Sequence, residues 1–124
     1  MKNTLLIFFG SGFGGIARYG MSQAVYKFLG QQFPYGTLLV NATGSFFMGL
    51  LFGLLLERFT GINLELRAFL LIGFLGGYTT FSSFSIETLQ LFEQGAWLSA
   101  TFNILLNVML CITLAWLGTL GARQ

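Results

Sequence analysis

Histidine is missing from this chain altogether, cysteine and proline occur once each, and charged residues fill only 8% of the 124 positions. Each shortage removes a class of function. Without histidine there is no imidazole for acid–base chemistry or for the commonest zinc sites. The single cysteine, Cys111, sits inside an apolar run and reads as a small packing residue, not as part of a disulfide or a thiolate-rich metal site. A soluble domain carries roughly a quarter charged residues. A chain with so few cannot cover a water-facing surface. Its net charge is +2 and it has no basic run, so a nucleic-acid partner is not expected.

What is present is apolar: 55% of residues are hydrophobic, with 15 phenylalanines, 17 glycines and a mean hydropathy of +0.77. The chain is read as an all-α integral membrane protein, with residues 1–124 forming one transmembrane domain. The hydrophobic segments nearly exhaust the length, leaving no room for a soluble catalytic domain. Lys2 followed by the apolar residues 5–9 resembles a signal peptide, but more apolar sequence follows in place of a cleavage site. It is read as a retained first helix.

Four helices are expected. The first covers about residues 4–29, with Gly10 and Gly14 as a small-xxx-small pair for close helix packing. Arg18 lies deep within it and is costly in lipid, so it must snorkel, pair or face water. It suits a membrane-edge anchor and an anion-attracting charge at a pore mouth equally. A turn around Pro34 leads into helix two, about residues 37–56, where Thr37, Asn41, Ser45 and Met48 share a face. Alone, Asn41 is explained by helix–helix hydrogen bonding. After a polar loop at residues 59–65, with its turn at 60–63, helix three runs from about 66 to 92. That exceeds the roughly 20 residues a span needs and fits a helix broken at its centre. Helix four follows Gly95 and covers about residues 96–120, with Asn103 and Asn107 one turn apart and Thr113 beyond. Four spans place both termini on one side. Lys2, Arg58, Arg67 and Arg123 on that side against Lys27 and Arg18 opposite lean toward cytoplasmic termini, but the loops are short and both orientations stay open.

The third helix carries the unusual stretch, residues 73–85, in which glycines, hydroxyls and two phenylalanines interrupt an apolar run. Irregular backbone at membrane depth persists only where protein or a wet cavity satisfies its polar groups. A break at Gly76-Gly77-Tyr78-Thr79 would free carbonyl oxygens that can face a cation. Phe81 and Phe84 follow one turn apart. Their positive ring edges favour a small anion without a fixed charge to trap it. Hydroxyl and amide donors from Thr80, Ser82, Ser83 and Asn41 can replace part of its water. Packing alone would explain the two rings were the serines and the glycine pair absent.

Residues 76–85 (GGYTTFSSFS), with GTLLVN at 36–41 and GGIARY at 14–19, resemble the small bacterial fluoride channels of the Fluc or CrcB family, and the resemblance spans essentially the whole chain. It implies an antiparallel, dual-topology homodimer in the bacterial inner membrane, conducting fluoride passively through two pores and so lowering cytoplasmic fluoride. By motif position, the carbonyls of Gly76 and Thr79 would hold a structural sodium ion at the dimer centre. Phe81 and Phe84 would line the pores, Asn41 would donate to fluoride, and Ser82 and Ser83 would add hydroxyl contacts. Arg18 would face an aqueous vestibule, with Glu87 near one also. In helix four the family's serine–threonine track is replaced by Asn103, Asn107 and Thr113.

Two other functions fit four short spans. A small proton-coupled multidrug-type exporter needs a membrane-embedded acid in its first helix, and residues 4–29 contain none. A non-transporting subunit of a membrane assembly would carry no flux when purified.

Overall fold

The computed structural model describes residues 1–58 and 64–124; the turn expected at 60–63 lies outside them. Among the described residues every regular element is a helix. Helix α1 (Lys2–Leu29) is followed by α2 (Tyr35–Phe52), which runs on through wider i→i+5 turns over Gly53–Arg58. Next, α3 (Leu64–Arg67) opens into similar wide turns over Ala68–Leu75, then α4 (Gly76–Tyr78) and α5 (Phe81–Glu93), and α6 (Trp97–Arg123) closes the chain. Three segments are long and apolar enough to cross a membrane: Tyr35–Glu57, Leu64–Glu93 and Trp97–Arg123. At 28 residues α1 is comparably long, but Arg18, Gln23 and its glycines dilute its apolarity.

The turns follow from local chemistry. Gly30 and Gly95 adopt positive φ, 81° and 76°, where a side chain would be strained, and each ends a helix. Pro34, with φ −76°, leads into α2.

In lipid, burying apolar side chains between helices gains little, so close backbone approach and hydrogen bonds carry the packing. Glycines supply that approach in two pairs of segments. Along α1 and the third segment, a methyl group on Gly10 would sit 2.5 Å from the Phe69 carbonyl oxygen, and one on Gly77 2.5 Å from that of Ser11. Between α2 and α6, Gly49 abuts the Ala115 carbonyl and Gly118 that of Phe46. The Thr119 hydroxyl donates to the Gly49 oxygen across the same seam, at 3.3 Å. Leu55, Leu71 and Leu75 form a small core between the second and third segments, flanked by Met48 and Phe74.

The wide turns have a consequence at one end. Arg67, at the end of α3, donates through Nη2 to the Leu55 carbonyl at 2.8 Å, tying α3 to the wide turns that end the second segment. Beside it, Lys2 pairs with Glu65 at 2.6 Å, and Arg123 grips Glu57 with two bonds of 2.8 and 2.9 Å. One end of the bundle therefore gathers the starts of α1 and α3 with the ends of the second segment and α6. At the opposite end, Gln23, Gln31, Gln90 and Gln94 share a polar cavity. Consecutive segments therefore alternate in direction. Much of the outer surface is large and apolar, including Phe8, Phe13 and Ile16 on α1 and Met109, Ile112 and Trp116 on α6. Lipid or another chain suits such faces; water does not.

Candidate ion site at the helix break

The third segment is broken two residues later than the glycines suggest. Gly76–Tyr78 is helical, and Gly76 itself has φ −62° and ψ −37°. Thr79 and Thr80 are extended (φ −77°, ψ 157°; φ −150°, ψ 114°), and Phe81 begins α5. Gly77 is needed for its lack of a side chain against Ser11, not for unusual backbone angles.

Side chains make the break. The Thr80 N–H, which would bond to the Gly76 oxygen in a continuous helix, donates instead to Asn41 Oδ1 at 2.8 Å. The Ser83 N–H, which would bond to the Thr79 oxygen, donates to Thr80 Oγ1 at 3.2 Å, so Thr80 is the N-cap of α5. Asn41 completes its grip by donating from Nδ2 to the Thr80 oxygen at 3.0 Å. Among the carbonyls that the break leaves without a helical donor are those of Gly76 and Thr79, whose usual donors are taken by side chains. Thr79 is turned back by its hydroxyl, which donates to the Leu75 oxygen at 3.0 Å. The Arg18 guanidinium reaches the Thr79 oxygen at 3.4 Å, a long bond to an oxygen that attracts positive charge.

Against the break lies a cavity of about 420 Å³ whose wall includes Asn41, Thr79, Thr80, Phe81, Phe84 and Asn107. The two phenyl rings have centroids 5.3 Å apart and planes inclined by 54°. They are not equivalent in one chain: Phe84 is 8% exposed and Phe81 78%. Ser82 and Ser83 are off the cavity wall. Their hydroxyls lie 3.4 and 3.0 Å from Thr80 Oγ1, forming a cluster at the head of α5. The start of α5, the positive end of its dipole, adjoins Thr80 and Phe81 on this wall. Polarised ring edges and a helix start suit an anion; the Gly76 carbonyl and that of Thr79, which already draws the Arg18 guanidinium, suit a cation.

Asn41 carries more than its position suggests. Besides its two bonds to Thr80, its Nδ2 donates to Asn107 Oδ1 at 3.1 Å. Asn107 donates in turn to Asn103, at 3.0 Å to both the side-chain and the backbone oxygen. Asn103, fully buried, donates to Thr88 Oγ1 at 2.8 Å, and the Thr88 hydroxyl to the Phe84 oxygen at 2.7 Å. Both Asn41 hydrogens are thus engaged within the protein, which no sequence pattern foretells. The i,i+4 spacing of Asn103 and Asn107 was the available signal. Thr43, two residues along α2 from Asn41, holds Tyr78 through a 2.9 Å hydroxyl contact and had no signal of its own.

One turn outward, Thr37 donates to Glu87 Oε1 at 2.8 Å. Glu87 Oε2 is buried and meets no hydrogen-bond partner among the described residues. Glu87 faces the cavity of about 320 Å³ shared by the glutamines at that end of the bundle. Thr113 is off the wall of the larger cavity, whereas Cys111 lies on it.

Residues 5–119 match the family described as CrcB-like protein, Camphor Resistance (CrcB). A protein from Coxiella burnetii (strain Dugway 5J108-111), named fluoride-specific ion channel FluC, is 61% identical over 123 residues, covering 98% of each chain. Proteins of the same name from Magnetococcus marinus and Methylococcus capsulatus are 48% and 49% identical over 114 and 115 residues; the former match covers 92% of each chain, the latter 93% of this chain and 50% of its longer relative. These names describe channels, a role that is not enzymatic. Three apolar spans and bacterial channel relatives make this a multi-pass bacterial membrane protein. By its match over nearly the full length, the chain belongs to the CrcB-like family.

Proposed function

We propose that this chain is a fluoride channel that passes the ion passively, down its electrochemical gradient, and so lowers cytoplasmic fluoride. One observation carries the reading: the break at Thr79–Thr80 puts two phenyl rings, a helix start and a clamped amide around a single cavity. The relatives' names support fluoride as the ion. A small anion needs donors that replace its water without holding it fast. Ring edges of Phe81 and Phe84 and the polar groups of Thr80 and Asn41 on the wall meet that need, with the Ser82 and Ser83 hydroxyls at Thr80 Oγ1, and among the described residues no lysine or arginine lines the cavity.

In this reading α1 is the fourth span. Its 28 residues reach about 42 Å as α-helix, more than the ~30 Å hydrocarbon core. The working unit is an antiparallel dual-topology homodimer with two pores, in which the exposed Phe81 ring is covered by the partner copy. Arg18 and Glu87 stand toward aqueous vestibules. The site also fits a sodium ion. A hard cation takes oxygen ligands, and the two carbonyls freed at Gly76 and Thr79 are neutral oxygens, doubled to four by a two-fold axis. When bound, sodium would supply a fixed positive charge that offsets nearby anions. The proton-coupled exporter and the assembly subunit draw no support from the relatives' names.

The test is flux from liposomes loaded with potassium fluoride or potassium chloride, with the potassium gradient shunted by an ionophore. Fluoride should leave and chloride should stay. Equal rates, or no flux of either, would remove the proposal.

A further inference from the structure

We propose that Asn107, oriented by Asn103, is a positioning residue that holds one hydrogen of the Asn41 amide away from the ion, so that an anion entering the cavity must win it from the Asn107 oxygen. This rests on reading the cavity as a fluoride site. It adds a determinant of affinity on α6.

The direction of the amide chain is fixed by one backbone group. The Thr80 N–H can only donate, so the Asn41 atom facing it at 2.8 Å is the oxygen, and the other is the nitrogen. That nitrogen has two hydrogens: one goes to the Thr80 oxygen at 3.0 Å, the other to Asn107 Oδ1 at 3.1 Å. Asn107 must then present its oxygen to Asn41 and its nitrogen to Asn103, and Asn103 its nitrogen to Thr88. The Thr88 hydroxyl completes the run at the carbonyl of Phe84. No link can be reversed without leaving two donors facing each other.

The two bonds of the Asn41 nitrogen differ in how easily they exchange. The one to Thr80 belongs to a reciprocal pair that also holds the break. The one to Asn107 lies on the cavity wall, which both residues line. An anion that takes this hydrogen gains a donor but breaks a protein hydrogen bond. The well is therefore shallower than a free amide would make it, as rapid release requires. Asn103, fully buried behind Asn107, keeps the competing oxygen in place.

Replacing Asn107 with leucine removes the competitor and leaves Asn41 in its grip on Thr80. An interhelical hydrogen bond in a membrane protein is worth about a threefold change in an equilibrium constant. Sodium fluoride titrated calorimetrically into the purified full-length protein should bind about threefold more tightly to Asn107→Leu than to the unaltered chain. Sodium chloride serves as the control. Equal or weaker fluoride binding by the variant would overturn the inference while leaving the fluoride reading intact. Fluoride binding by neither protein would remove both. Should the variant not fold, the unaltered protein decides by NMR. On adding fluoride, the side-chain amide signals of Asn41 and Asn107 should shift together; movement of Asn41 alone would overturn the inference.

Discussion

Replacing Asn41 with leucine should heal the helix break. Asn41 makes three hydrogen bonds at 2.8, 3.0 and 3.1 Å, two of them to the backbone of Thr80. Interhelical hydrogen bonds in membrane proteins are worth about 0.6 kcal/mol each, so losing three costs about 2 kcal/mol. Part of that loss is recoverable. Once Asn41 Oδ1 is gone, the Thr80 N–H can return to the Gly76 oxygen, four residues earlier, and extend the helix. Such a change hides the Gly76 carbonyl and re-aims Phe81 and Phe84 together. The expected outcome is a folded protein, destabilised by about 2 kcal/mol or less, whose fluoride flux is lost. Flux is read with a fluoride electrode on liposomes, stability by denaturant titration, and the Thr80 amide by hydrogen exchange. In the variant that amide should exchange more slowly, as a helical N–H does. Unchanged flux, with Thr80 exchange as before, would refute the idea that Asn41 makes the break.

Three further outcomes follow from the same geometry. Phe81→Ile and Phe84→Ile keep apolar bulk but lose the ring edge, so flux should collapse in both; stability should fall mainly for the buried Phe84, by about 1–3 kcal/mol, in a melting assay. Exchanging sodium for a larger cation should lower flux or loosen the dimer in size-exclusion chromatography, and indifference to the cation would count against the Gly76 and Thr79 carbonyls as its ligands. Gly49→Ala places a methyl group on the Ala115 carbonyl oxygen and should part α2 from α6, costing about 1–3 kcal/mol in a thermal unfolding series.

Long apolar runs made the helices legible, and their ends came within a few residues of Gly30, Pro34 and Gly95, whose backbone preferences act locally. The break was legible in kind but not in place. Glycine pairs drew attention to residues 76–77, yet those glycines are helical and serve packing. The residue that opens the helix, Asn41, lies 39 positions upstream and acts through tertiary contact. The wide turns at Gly53–Arg58 and Ala68–Leu75 had no signature either, since an unbroken apolar run reads the same at 3.6 or 4.4 residues per turn. Phe81 and Phe84 were found by spacing, but their unequal burial depends on packing that sequence does not display. Asn103 and Asn107 were visible as a pair; the chain they complete from Asn41 to Phe84 required the fold.

The most direct measurement is an experimental structure of the assembled protein in sodium fluoride. The account predicts cation density between the Gly76 and Thr79 carbonyls of two antiparallel copies, and anion density at the edges of Phe81 and Phe84. A helix continuous through residues 76–84, with both rings turned to lipid and no ion beside them, would contradict it.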